Sequence, residues 1–467
     1  MVSPSPRDGA LVSNAMAHRP TAANAARYWA VHILNCLEKG RSFAESLLDR
    51  CLRKNIPDPR DRRLLTELVY GTLRMRGYCD WLIGRYLKRP LASLNPPVLN
   101  ILRTGLYQHF HMDRIPPFAI VHEAVKLTRE FRGGSEDLVN AVLRRVFRCH
   151  SEPPLPRLER ESPLYLSIVH SHPLWLVEKW LDLFGPQETE ALCRADNAVP
   201  PVVVRVNTLR ADRESVREGL TAEGMRAEET PYSPDGLIVK DARQPLWETA
   251  AYKRGEIQVQ DEASQLVSYC LAPRRGEVIL DLCAGVGGKT SHMAALMGNE
   301  GRIVAVDASV GRLQAQRRLL ERLGVRIVTP LRADATQDLG PEFLAAFDRV
   351  LVDAPCSGLG TLRRAPEIRW RRDTSRLDKM TSLQRLLLRR AAAYVRPGGV
   401  VVYATCSVLP EENEEIVGDF LDENGGFEVA GPEGLDPSLT DGDGFFRTYP
   451  HRHDTDGFFG AVLIRRS

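Results

Sequence analysis

Val278-Ile279-Leu280-Asp281-Leu282-Cys283-Ala284-Gly285-Val286-Gly287-Gly288-Lys289-Thr290 reads as a buried strand that runs into a glycine turn and then a helix. Glycines at such a turn let the backbone approach a ligand at the helix N-terminus, where amides without intrahelical partners face outward. Outward from this stretch, further apolar runs alternate with helical segments: Ile303 to Asp307, Arg326 to Pro330, Arg349 to Asp353 and Val400 to Thr405. That alternation predicts a parallel sheet with helices on both faces, its ligands bound at the carboxyl edge of the strands. Gly457 to Ile464 reads as a last strand.

One acid suits a nucleoside-like ligand at that edge, and a second follows the next strand. Asp307 ends the second strand 20 residues beyond Gly287, the position for binding a ribose diol, and Asp334 follows the third. Either acid could instead cap a following helix. Gly285-Val286-Gly287-Gly288 is not the full dinucleotide fingerprint, so pyrophosphate binding is not expected. An ATPase reading of Gly288-Lys289-Thr290 fails, because the phosphate loop needs glycine where Cys283 stands.

Two cysteines close strand-like runs, Cys356 after Val350-Leu351-Val352-Asp353-Ala354-Pro355 and Cys406 after Val400-Val401-Val402-Tyr403-Ala404-Thr405. In a doubly wound sheet these fourth and fifth strands are neighbours, so both thiols approach one pocket beside Asp353. A lone buried cysteine is usually structural. Two at adjacent ligand-facing strand ends point to chemistry.

A chain of 467 residues should divide into two or three domains. Its nine cysteines form no CxxC pair, and it has neither a secretory h-region nor an apolar run of membrane-spanning length. The reading is a cytoplasmic protein with free thiols, no metal site and no membrane association. The net charge of +3 conceals an asymmetry: residues 1–150 carry 24 Lys and Arg against 13 Asp and Glu, leaving 39 against 47 for the rest. A basic front half suggests a polyanion partner.

Residues 1–24 read as a disordered tail and residues 25–150 as an all-helical domain, with apolar residues at helical spacing and breaks at Pro90, Pro96-Pro97 and Pro116-Pro117. Residues 151–255 read as a proline-rich linker, a helix from Pro173 to Phe184 and a small α+β region. That region has strands at Val202 to Val206 and Gly236 to Lys240 and a helix at Arg213 to Glu223. Residues 256–467 form the α/β domain.

Three runs in order, DLCAGVGGKT (281–290), VDAPCSGLGT (352–361) and YATCSVLPEENEE (403–415), resemble the S-adenosylmethionine-dependent RNA cytosine-C5 methyltransferases of the Nol1/Nop2/Sun type. RVNTLR (205–210), VQDEASQLV (259–267), RRAPEIRW (363–370) and DGFFGAVL (456–463) agree. The front half resembles the NusB-type RNA-binding domain through LNILRTGLYQ (99–108), RIPPFAIVHEAV (114–125) and LVNAVLRRV (138–146). The implied fold is a NusB-like helical domain, a small α+β RNA-binding subdomain and a class I, Rossmann-like methyltransferase domain.

The resemblance implies S-adenosyl-L-methionine as cofactor, its methionine end held by Cys283, Ala284, Gly285, Val286, Gly287, Gly288 and Lys289. It places the ribose at Asp307, the adenine at Asp334 and the methyl group and base beside Asp353. It assigns nucleophilic attack on C6 to Cys406 and product release to Cys356. Valine at 286, where the family usually has proline, should alter loop rigidity rather than abolish binding. The implied substrate is a cytosine of small-subunit (16S) ribosomal RNA, of the 967 type, in RNA or in an assembly intermediate, acted on by a monomer. Alternatives are another RNA, a DNA cytosine methyltransferase attacking from its Pro-Cys, and a non-catalytic assembly factor. The arginines around Trp370 read either as a phosphate-binding, base-stacking cluster or as a solvated basic loop.

Overall fold

The computed structural model describes residues 25–467 except 41, 57, 114, 132–133, 161, 243 and 372–373, and leaves out the side chains of 374–376. The tail predicted for residues 1–24 lies outside the described residues. The chain divides into two compact units, one reaching to Asn197 and including residues 365–371, the other formed by 198–364 and 372–467.

The first unit is helical. Its helices include Ala25–Glu38, Ala44–Lys54, Pro59–Arg74, Arg76–Gly84, Pro96–His111, Pro117–Glu130 and Glu136–Cys149. Of the prolines that break the pattern, Pro96 and Pro117 stand in the first turns of helices, as Pro59 also does, where a missing N–H costs nothing, while Pro90 precedes the short 3-10 turn Leu91–Ser93. Asp58 caps Pro59–Arg74 by accepting from the Arg60 amide at 2.7 Å. Leu65, Leu68, Leu102, Leu106, Leu143 and Val146 are among the side chains that fill the core. Arg103 is buried and neutralised by Asp80 and Glu38, each at 2.7 Å, so it is not among the cations available to a polyanion. The predicted Pro173–Phe184 helix belongs to Leu174–Asn197, which breaks at Gly185 (φ 74°).

The second unit holds two sheets. Strands β1 (Val202–Val206), β2 (Arg226–Glu229), β3 (Gly236–Lys240) and β4 (Ile257–Val259) form an antiparallel sheet in the order β2-β3-β1-β4. The larger sheet contains β5 (Val278–Asp281), β6 (Arg302–Val306), β7 (Val328–Leu331), β8 (Phe347–Asp353), β9 (Val395–Thr405), β10 (Phe427–Ala430), β11 (Phe446–Thr448) and β12 (Phe458–Arg465). Its order is β10-β12-β9-β8-β5-β6-β7, with β11 pairing β12. The strands from β9 to β7 run parallel, as expected. The sheet as a whole is mixed: the last strand, whose direction the sequence left open, is β12 and lies antiparallel against β9, with Phe459 opposite Thr405, and β10 and β11 lie antiparallel to β12.

Val350, Val352, Val401 and Tyr403 face one apolar layer, and Leu351, Val402 and Ala404 the other. Two covered faces explain the unbroken apolar runs of β8 and β9. The chain reverses across β5, which lies between β6 and β8, and the strand ends there carry the glycine turn, Asp307 and Asp353.

Candidate active site

The turn after β5 is anchored by its neighbours: the Leu282 amide donates to the Leu351 carbonyl and the Ala284 amide to the Val306 carbonyl, both at 2.9 Å. Gly285 and Gly287 have φ values of 57° and 88°, where a side chain would be strained. A Cβ on Gly287 would also meet Gln316 Cγ at 2.7 Å. At Gly285 and Gly288 a Cβ would meet nothing within 4 Å, so the turn is an open cradle, and Val286 lies within it. Gly287 begins the helix Gly288–Leu296 without a side-chain cap, which leaves first-turn amides for an anionic group.

Behind the turn, Asp281 is buried. It accepts the Thr290 hydroxyl at 2.6 Å through one oxygen, while the other has no hydrogen-bond partner. Burial pushes this carboxyl up to about 7. Sequence reasoning left Asp281 out of the site, although its place at the end of β5 marked it. An open cradle, outward amides and an unsatisfied buried acceptor fit the carboxylate and amino groups at the methionine end of S-adenosylmethionine.

Asp307 follows β6 and is 7% exposed. It accepts from the Ser309 amide at 2.7 Å and lies 3.4 Å from an Arg312 Nη. The cap of the next helix, Val310–Leu323, is Ser309, so Asp307 is not merely a cap. Asp334, beyond β7, is exposed and accepts from the Thr336 amide and hydroxyl, which hold its carboxyl below the usual range. No helix follows for it to cap either. If Asp307 holds the ribose, Asp307→Ala should weaken S-adenosylmethionine binding by about 1–3 kcal/mol, through loss of a charged acceptor. Calorimetry checks this, and unchanged affinity in folded protein would remove Asp307 from the ribose site.

The thiols meet as the strand order requires. β8 and β9 pair in parallel with Asp353 opposite Ala404, and Cys356 Sγ and Cys406 Sγ are 3.2 Å apart. The following serines also meet, Ser357 Oγ and Ser407 Oγ at 3.2 Å. Buried Glu412 accepts from the Ser357 amide at 2.7 Å and from its hydroxyl, and Gln384 donates to the same carboxylate at 3.1 Å. The contact with Cys406, burial and the negative charge of Glu412 hold the Cys356 thiol well above its usual range. Sequence reasoning missed Glu412, because a glutamate in Pro410-Glu411-Glu412-Asn413-Glu414-Glu415 looks like one more solvated acid. Lys289 Nζ lies 2.7 Å from Asp353 Oδ2 and above the Phe458 ring. Lys289 thus joins the glycine turn to the acid beside the thiols.

For Arg363, Arg364 and Arg369 neither reading of the arginines around Trp370 holds. Arg363 is buried and bonded to Asp454 at 2.9 Å and Asp456 at 3.0 Å, while Arg364 holds Asp261 at 2.6 Å and Asp456 at 3.0 Å. In the helical unit, buried Arg369 donates to the Ser171 and Asp196 carbonyls and to Asn197, and the Trp370 indole donates to the Leu73 carbonyl. These residues tie chain segments together. Arg372 lies outside the described residues.

A glycine cradle at the switch point of a mixed sheet, with two facing thiols at the neighbouring strand ends, fits one class: an S-adenosylmethionine-dependent methyltransferase. Family models agree along the chain. Residues 268–464 match 16S rRNA methyltransferase RsmB/F, residues 24–148 the NusB family, and residues 172–244 the ferredoxin-like domain of RsmF/B-like methyltransferases. A probable ribosomal RNA small subunit methyltransferase B of Bacillus subtilis is 34% identical over 452 residues, covering 94% of this chain and 98% of the relative. The ribosomal RNA small subunit methyltransferase B of an Escherichia coli strain is 35% identical, covering 88% of this chain and 94% of the relative.

Among solved structures, PH0851 matches with a TM-score of 0.83 and 29% identity over 96% of this chain and all of that one. NSun6 from Pyrococcus horikoshii with SFG matches with a TM-score of 0.58 and 26% identity over 64% of this chain and all of that one. The chain belongs to the RsmB/F family of 16S rRNA methyltransferases, enzymes of the S-adenosylmethionine-dependent rRNA methyltransferase class. Among the described residues no helix is long and apolar enough to cross a membrane, and no group of three or more His, Cys, Asp or Glu is arranged to hold a metal ion.

Proposed function

We propose that the protein methylates C5 of one cytosine in 16S ribosomal RNA, of the 967 type, through a covalent bond between Cys406 and C6 of the base. The observation that carries this reading is the 3.2 Å approach of Cys356 and Cys406 at paired strand ends beside Asp353. Cytosine C5 is a poor nucleophile, so a thiolate must first add to C6 and make C5 electron-rich. Two thiols in contact do not both ionise readily, because like charges so close repel. Burial and the negative charge of Glu412 disfavour a thiolate at Cys356, in keeping with the family resemblance, which gives the attack to Cys406.

Asp353, which lies against Lys289, supports the base by donating a proton from its carboxyl to N3 as negative charge builds there. The cofactor supplies an electrophilic methyl group. Transfer leaves C5 with both a methyl group and a proton, and release requires loss of that proton, return of the electron pair to the C5–C6 bond and departure of Cys406 as thiolate. Cys356 serves this release as the base: with Cys406 bonded to C6, Cys356 gives its own proton to solvent and then takes the C5 proton onto its sulfur. The cofactor rests on Cys283 to Lys289, with its ribose on Asp307 and its adenine by Asp334.

Residues 25–150 supply RNA affinity, residues 151–255 the linker and small α+β region, and residues 256–467 the chemistry. The enzyme acts as a cytoplasmic monomer on 16S rRNA or a small-subunit assembly intermediate. Transfer of label from S-adenosylmethionine to ribosomal RNA, followed by mapping of 5-methylcytosine with and without the gene, tests the reading. No transfer, or label only in another RNA, would reject it.

The basic domain makes its own prediction. Lys88, Arg89, Arg144, Arg145 and Arg148 are exposed in the helical unit. Replacing Lys88, Arg89 and Arg148 together by Glu should weaken RNA binding and lower its log–log salt slope by about 0.7–0.9 for each phosphate no longer neutralised. Filter binding across a salt series reads this, and an unchanged slope would assign the charge another use. Charge reversal is a cleaner test than deletion, because residues 365–371 pack within the helical unit and would lose their partners.

A further inference from the structure

Arg205 stands on β1, in the small antiparallel sheet, and is 0% exposed. Its guanidinium donates to the Gly288 carbonyl at 2.8 Å, the Ser291 hydroxyl at 3.1 Å and the Gln260 side chain, and Ser291 in turn donates to the same Gly288 carbonyl at 2.9 Å. All three acceptors are neutral. The charges around it are Asp235, which accepts from Tyr269 at 2.7 Å and lies 3.1 Å from His292, and the more distant Arg322. A buried cation without a carboxylate in contact is a costly way to join a strand to a helix. An apolar residue would fill the same space more cheaply.

What Arg205 grips explains the choice. Gly288 opens the helix that closes the glycine turn. It lies between Gly287, whose left-handed backbone makes the cap, and Lys289, whose ammonium holds Asp353. We propose that Arg205 is a positioning residue for the cofactor turn: it fixes the first helical turn and adds positive potential behind the amides that receive the methionine carboxylate. The small sheet therefore shapes the cofactor site besides any part in holding RNA. Family resemblance marks RVNTLR as a motif without giving it this task.

The inference rests on Cys283–Lys289 being the cofactor turn, so the test carries a control for that reading. Binding of S-adenosylhomocysteine to the full chain is measured by calorimetry for Arg205→Met, Arg205→Lys and Asp307→Ala. Arg205→Met should bind at least tenfold more weakly and Arg205→Lys should recover part of the loss. KM for S-adenosylmethionine should rise in parallel, while KM for RNA and kcat at saturating cofactor stay within about threefold of the wild type. A purely structural Arg205 would lower the melting temperature without this split.

Folded Arg205→Met with affinity within twofold of the wild type overturns the proposal, provided Asp307→Ala is weakened. If Asp307→Ala also binds normally, the reading of the cofactor site fails instead. Should Arg205→Met not fold, Ser291→Ala, which removes one of the three acceptors, carries the test. A two- to fivefold loss supports the proposal and unchanged affinity rejects it.

Discussion

Cys406→Ala is expected to lower methyl transfer by roughly ten-thousand-fold or more, because without a thiolate at C6 the C5 carbon stays unreactive. Cofactor affinity should be unchanged, since Cys406 lies at the end of β9, across β8 from the glycine turn after β5. The fold should also tolerate the change: the side chain is only half-buried and its hydrogen-bonding contact is the Cys356 sulfur. Transfer assays with labelled S-adenosylmethionine measure the loss, and substantial residual activity would mean that Cys406 is not the nucleophile.

Arg363→Ala carries the largest expected stability effect. Arg363 is 2% exposed and faces Asp456 and Asp454 at contact distance and Asp261 at 3.7 Å. Burial and the neighbouring Asp261 push the Asp456 carboxyl up even with both arginines in place. Removing one partner from such a cluster leaves uncompensated buried charge, at a cost of about 3–5 kcal/mol. The loss should show as an earlier urea midpoint for the second unit. It should also reach the thiols, because the loop from Cys356 to Arg364 is tied at Gly360, whose amide donates to the Cys406 carbonyl and whose carbonyl accepts from Gly457 at 2.7 Å. A midpoint equal to that of the wild type would show that Arg364 alone neutralises the cluster.

The parallel core of the fold was readable because β5, β6, β8 and β9 carry buried apolar runs that end at the turn or residue the site uses, whereas β7 at the edge is only partly buried. The antiparallel edge was harder to read. β2 is Arg-Ala-Glu-Glu, an edge strand whose polar side chains give no alternation, and β4 and β11 span three residues each. The orientation of β12 depends on its route past β10 and β11, which local pattern does not encode. At the site, adjacency of β8 and β9 was enough to bring Cys356 and Cys406 together.

Arg363, Arg364 and Arg369 were misread because a basic run looks solvated until its partners are known. Asp454 and Asp456 lie about ninety residues further along the chain, and Asp261 and Asn197 more than one hundred residues before. Glu412 was hidden in the opposite way, as the one buried acid in an acidic run, recognisable only through its bonds to Ser357 and Gln384. Arg205 lies in a motif whose meaning depends on a helix more than eighty residues away.

The division of labour between the thiols is the central claim, and a denaturing gel tests it most directly. Each variant is incubated with substrate RNA and S-adenosylmethionine, boiled in detergent and examined for a slow-migrating protein–RNA band. Cys356→Ala should give a strong band, because attack and transfer proceed while release of Cys406 from C6 is impaired. Cys406→Ala should give none. The reverse pattern, a stable band with Cys406→Ala and none with Cys356→Ala, would make Cys356 the nucleophile and contradict the account.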